Sequence, residues 1–74
     1  MHTVGACLKV VRKQRHMTQE QVAARLGMSR QNYTRIEKDQ MGILVQHLMH
    51  LAEIWDVPVR MLLPKQQRPE GVRP

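Results

Sequence analysis

The sequence is poor in the residues that build sheets and covalent staples. It has no Phe, one Tyr and one Trp, so aromatic residues make up 3% of its 74 positions. No long alternating run of β-branched residues compensates, and strand signals are nearly absent. The single cysteine, Cys7, excludes a disulfide within the chain. It sits among apolar neighbours in a helical pattern, where a buried, unreactive thiol is expected. No apolar run approaches the roughly 20 residues of a membrane-spanning helix. There is no paired-carboxylate site, no Ser/His/Asp grouping and no phosphate-cradling glycine loop, so no enzyme is expected. His47 and His50 stand three residues apart, but neither Cys7 nor His16 joins them at a known ligand spacing. No metal and no cofactor are expected. Without a signal peptide, and with one cysteine, the reading is a reducing, intracellular setting.

Acids are scarce too. Six Asp and Glu face twelve Lys and Arg, giving a formal net charge of +6 and a pI near 10.5. That balance points to an acidic polymer or surface as partner, without choosing among DNA, RNA, lipid and acidic protein. The length fits one small domain over residues 1–64, with a Pro-rich charged tail over 65–74 that reads as disordered. A core of this size is marginal, so a dimer is the expected further source of stability.

What the chain has is helical periodicity. Val4, Cys7, Leu8 and Val11 fall on one stripe and predict a helix over about 3–15. Thr18 and Gln21 form a capping box for a second helix over 19–26, which buries Val22, Ala23 and Leu26 and stops at Gly27. Met17 precedes the cap and is placed to pack on Val22. Ser29 caps a third helix over 30–38 whose apolar residues are only Tyr33 and Ile36. Val45, Leu48, Met49, Ala52 and Trp55 mark a fourth over about 43–55. Pro58 suits the first turn of a short fifth helix over 58–63; a short strand over 57–63 is the alternative.

The abrupt stop and restart at "LGMS" is the informative feature. Two short helices joined through a tight glycine turn describe a helix-turn-helix, whose second helix lies in the DNA major groove. Arg30, Gln31 and Asn32 open that helix, and these residue types pair with guanine and adenine edges. With Arg35 they form the base-reading candidates; a merely solvated helix face is the plain alternative. Lys9, Lys13, Arg15, Arg25 and Lys38 are further phosphate candidates.

Several residue patterns resemble the XRE family of phage repressors, Cro-like proteins and related bacterial regulators. They are Leu8, Val11 and Arg12; "MTQEQVA..LG" from Met17 to Gly27; Ser29; Ile36 and Glu37; and Leu48, Leu51, Ala52, Trp55 and Val57. The match runs without gaps over about residues 4–63. It implies an all-α, lambda repressor-like bundle of about five short helices. It also implies a dimer on an inverted-repeat operator of double-stranded DNA, in a cytoplasm of bacterial or phage-infected type. By resemblance, Gln19 contacts phosphate and braces Arg30. Thr18, Ser29, Tyr33 (through its hydroxyl), Lys38 and Gln40 join it as backbone contacts, and Arg12 pairs with Glu37 inside the fold. The dimer interface falls on Trp55, Val59, Arg60, Met61 and Leu63, with Trp55 and Leu62 also serving the core. Relatives that act as antitoxins suggest a toxin or other protein partner, for which the apolar "MGILV" and the C-terminal end offer a surface. One departure stands out: Asp39 occupies a position where the family often has Gly, close to the expected path of a phosphate.

Overall fold

The computed structural model describes residues 3–64. Four α-helices follow one another: α1 (Val4–Gln14), α2 (Gln19–Leu26), α3 (Arg30–Glu37) and α4 (Val45–Trp55); a single 3₁₀ turn, Val59–Leu62, follows them. The tail expected over 65–74 lies outside the described residues. All the described regular structure is helical, so the strand alternative for 57–63 is not taken.

The helix starts follow local chemistry. The Thr3 hydroxyl accepts from the Ala6 amide and opens α1. Thr18 accepts from the Gln21 amide at 3.0 Å while the Gln21 side chain accepts from the Thr18 amide at 2.9 Å, closing the predicted box. Ser29 accepts from the Asn32 amide at 3.2 Å. Each bond satisfies an amide that the first turn leaves free. Helix α4 begins at Val45, later than expected, and its N-cap Leu44 has no side-chain bond to offer. The fifth element is a 3₁₀ turn because its hydrogen bonds span three residues: Met61 donates to the Pro58 carbonyl at 2.9 Å and Leu63 to Arg60 at 3.3 Å.

The helix ends share one device. Residues with left-handed backbone follow α1, α2, α3 and α4: His16, Gly27, Asp39 and Asp56, at φ of 58, 71, 60 and 56°. Only Gly27 adopts that conformation without a steric cost. It lets α3 start two residues later at its Ser29 cap.

Every element contributes to one core. Leu8, Val22, Tyr33, Leu51 and Leu62 are 0% exposed and Trp55 is 1% exposed. Met17 packs against this core, and its Sδ accepts from the Trp55 indole N–H at 3.3 Å. The N-terminus of α1 crosses the end of α3 closely. A Cβ on Gly5 would press into the Glu37 and Ile36 carbonyl oxygens, the latter at 2.6 Å. The same crossing explains Asp39. Its Oδ1 accepts from the Gly5 amide at 3.0 Å, so the carboxylate serves a first-turn amide of α1, where a negative charge is favoured.

Candidate nucleic-acid interface

Helix α3 buries Tyr33, Ile36 and Glu37. Arg30, Gln31 and Arg35 are exposed and Asn32 is half-buried. No side chain of these four makes a hydrogen bond within the described residues. The base-reading candidates therefore stand together on α3 with their donors and acceptors free. Arg30 also lines a shallow cleft with Thr18, Gln19 and Glu20, so the starts of α2 and α3 share one surface.

Behind that surface lies a buried polar network. Arg12 Nε donates to Glu37 Oε2 at 2.6 Å and Nη2 to Oε1 at 3.2 Å, joining α1 to the last turn of α3. Arg12 Nη1 donates to the Met17 carbonyl at 2.9 Å, which fixes the approach to α2. Gln19 Nε2 donates to Glu37 Oε1 at 2.9 Å, and the Thr34 hydroxyl donates to Gln19 Oε1 at 3.0 Å. Both charged residues are below 9% exposed. Burial works against the Glu37 carboxylate, yet hydrogen bonds from Arg12 and Gln19 outweigh it and hold the pKa below the usual value. The Glu37 hydrogen bond in turn holds the Arg12 guanidinium firmly charged. A guanidinium fork on a carboxylate has one good geometry, so α3 is oriented as well as anchored.

The structure corrects several site expectations. Tyr33 is 0% exposed, so its hydroxyl reaches no phosphate. That oxygen is buried without a hydrogen-bond partner, and burial first, the neighbouring Glu37 second, push its pKa well above the usual range. The reason is spacing: Tyr33 and Ile36 share the one narrow apolar edge of α3. Gln19 does not brace Arg30; its amide is taken by Glu37 and Thr34, leaving one N–H for another acceptor. Arg15 donates from Nε to the Trp55 carbonyl at 2.8 Å, a cap on the end of α4. Trp55, at 1% exposure, belongs wholly to the core and presents nothing to a partner. Cys7 is partly exposed rather than buried.

Other expected contacts are placed at the surface. Lys38 and Gln40 are exposed beyond α3, as are Lys9, Lys13 and Arg25. The Thr18 and Ser29 hydroxyls accept from their own helices and keep an O–H to donate outward. Val59, Arg60, Met61 and Leu63 are exposed in and just after the 3₁₀ turn, which packs on α1 and α4. Thr34 was not singled out from the sequence, although it lies one turn before Glu37 and so faces the same neighbour. Among the described residues no three His, Cys, Asp or Glu side chains gather to hold a metal ion, and no helix is long and apolar enough to cross a membrane.

The comparisons with known proteins agree with this geometry. A family model described as helix-turn-helix matches residues 8–62, from the middle of α1 to the end of the 3₁₀ turn. A search of curated proteins returned no match.

Proposed function

Because the chain belongs to the XRE family of helix-turn-helix DNA-binding regulators, we propose that it is a sequence-specific repressor that binds an inverted-repeat operator as a homodimer. The carrying observation is the free polar face of α3 set on a buried, hydrogen-bonded support. Helix α3 enters the major groove, which accepts a helix of its diameter. Arg30 forks onto guanine O6 and N7; Gln31 and Asn32 pair with adenine edges; Arg35 reaches a base or its phosphate. Thr18, Ser29, Lys38, Gln40 and the remaining N–H of Gln19 hold the backbone and set the register. A dimer places two α3 helices about 34 Å apart, one turn of DNA. The bound dimer represses by covering promoter DNA.

The test is selection of duplexes from a random pool at physiological salt, followed by sequencing. The expected result is an enriched inverted repeat with half-sites one turn apart. Enrichment of nothing, with a folded protein, removes sequence-specific binding. Binding should also weaken steeply with salt, because each neutralised phosphate releases counterions. A flat salt response removes duplex DNA as the partner.

One observation favours a second reading, an antitoxin that binds a toxin and represses their shared operon. Leu44 and Val45, the N-cap and first residue of α4, are 59% and 70% exposed. Such residues fit a protein partner. Co-expression with the product of the adjacent gene, followed by purification, gives a stable complex on this reading and a lone regulator on the first.

A further inference from the structure

The cleft shared by the starts of α2 and α3 holds one charge whose place the fold does not explain. Arg12, Met17, Thr18, Gln19, Glu20 and Arg30 line it. Most of its polar side chains are engaged elsewhere. Arg12 is spent on Glu37 and the Met17 carbonyl, and Gln19 on Glu37 and Thr34. The Thr18 hydroxyl closes the capping box with Gln21. Glu20 and Arg30 remain, both exposed. The ion pair among the described residues is Arg12–Glu37, so these two are not joined in the free chain. Of the six acids, Glu37 and Asp39 are bonded inside the fold, Glu53 and Asp56 stand at the end of α4, and Glu70 is outside the described residues. Glu20 is thus the described acid set on the surface of the base-reading candidates. A carboxylate there opposes the phosphates that such a surface meets. The first turn of a helix favours a negative charge, yet this turn is already capped by Thr18 and Gln21, so the fold gains little from it.

We propose that Glu20 positions Arg30 for guanine: on the operator its carboxylate accepts from one edge of the guanidinium while another edge forks onto O6 and N7. The inference deepens the base reading of the proposed function and rests on it. A guanidinium presents more N–H donors, all in one plane, than guanine uses. The rest can bond a carboxylate that shares the cleft, and a partner held on one edge aims the other. Gln19, the residue that resemblance assigns to this task, is held away by Glu37 and Thr34, whereas Glu20 sits in the same cleft with its carboxylate uncommitted. The pairing belongs to the bound state. In water an exposed pair gains little, in agreement with two side chains that stand unjoined in the free chain. In a groove from which water is excluded the same pair is stronger. The effect is selective as well. Arg30 and Glu20 together are close to neutral, so the unit adds little to the hold on phosphates at large, and its worth is confined to sites that offer guanine.

Fluorescence anisotropy on the full chain tests this, with circular dichroism as the folding control. The duplexes are the selected operator and its variants at the base pair that Arg30→Ala relaxes. Wild type should prefer guanine there by about tenfold or more. E20Q keeps the size and removes the charge at an exposed position, so the chain should stay folded. It should cut that guanine preference about three- to tenfold and leave preferences at the other positions alone. In an Arg30→Ala background E20Q should change no base preference, because the two residues act as a unit. Tighter binding of E20Q to every duplex, with the guanine preference kept, makes Glu20 a plain repulsion of phosphate and overturns the inference. A preference that E20Q alters equally without Arg30 makes Glu20 the reader of its own base, through cytosine N4, and overturns it too. If Arg30→Ala relaxes no position, the inference falls while the selected operator still stands. A wild type that prefers no sequence removes the proposed function, and this inference with it.

Discussion

Two surfaces of this small fold meet water in opposite ways. On the α2–α3 side the exposed groups are Arg30, Gln31 and Arg35, all at ease in solvent, and the layer behind them is a buried network of Arg12, Glu37, Gln19 and Thr34. On the α4 side the exposed groups include Leu44, Val45, Met49 and Met61, each more than half exposed, and the layer behind them is apolar: Leu48, Leu51 and Trp55. The difference separates two kinds of recognition. A polar face needs no cover in water but must be aimed, so fixed directional bonds stand behind it. An apolar face needs no aiming beyond shape but is at rest only when covered.

The largest effect should come from breaking the support of the polar face. Arg12→Ala strands a buried carboxylate and should cost about 3–5 kcal/mol in thermal or urea unfolding. For a domain whose stability is of order 5–15 kcal/mol that approaches unfolding. A loss near 1 kcal/mol would mean that the network does not carry α3. Next comes Gly5→Ala, where the new Cβ meets backbone that flexible side chains cannot yield, with an expected loss of about 1–3 kcal/mol despite the better helix propensity of Ala.

Arg30→Ala tests the aimed surface itself. Affinity for the selected operator should fall by about 1–3 kcal/mol, with one base position relaxed and nonspecific binding nearly intact. Equal losses on every duplex make Arg30 a phosphate contact. Acid probes the support without a cavity. The folded Glu37 has a pKa below its ordinary value of 4.5, so the unfolded chain takes up the proton first. Stability from this group is present above about pH 4.5 and is lost as pH falls through the folded pKa. Comparison of unfolding free energy against pH for wild type and Glu37→Gln should show a shallower acid slope in the variant; parallel slopes would assign the acid sensitivity elsewhere.

The smallest change sharpens the contrast between the two helix ends. Asp56 has left-handed backbone and sets a negative charge against the C-terminal end of α4. Asp56→Gly should relieve both and raise stability by about 0.5–1 kcal/mol in the monomer, after the greater freedom of unfolded Gly is counted. Asp39→Gly has the same backbone to relieve but gives up the bond to the Gly5 amide, worth about 1 kcal/mol, and should gain nothing.

What the sequence disclosed and what it hid divide along the range of the interaction. Thr18, Gln21, Ser29 and Gly27 could be read because caps and left-handed stops act within four residues. The helix-turn-helix is built from such signals, so it was legible. The Arg12–Glu37 pair spans 25 positions and was reached through family resemblance alone. Tyr33 and Trp55 are core residues, as their helical spacing indicates, but the added contact by the Tyr33 hydroxyl and the share of Trp55 in a dimer face fail, because an amphipathic ring offers both roles until neighbours close around it. The duties of Asp39 and Arg15 stayed hidden for a similar reason: each caps a helix distant in sequence, and no local pattern encodes which helix end will pass by.

The buried pair also shapes how this chain can change over generations. Position 12 and position 37 hold each other, with Gln19 and Thr34 fastened to the same knot, so a mutation at one is tolerated only with an answer at another. Arg30, Gln31, Asn32 and Arg35 answer to no residue inside the fold. They are free to vary singly while the scaffold stays whole, and on the proposed function each step would alter which sequence is read. A descendant could acquire a new operator by single substitutions on α3, whereas a rebuilt scaffold would have to cross a valley of unfolded intermediates.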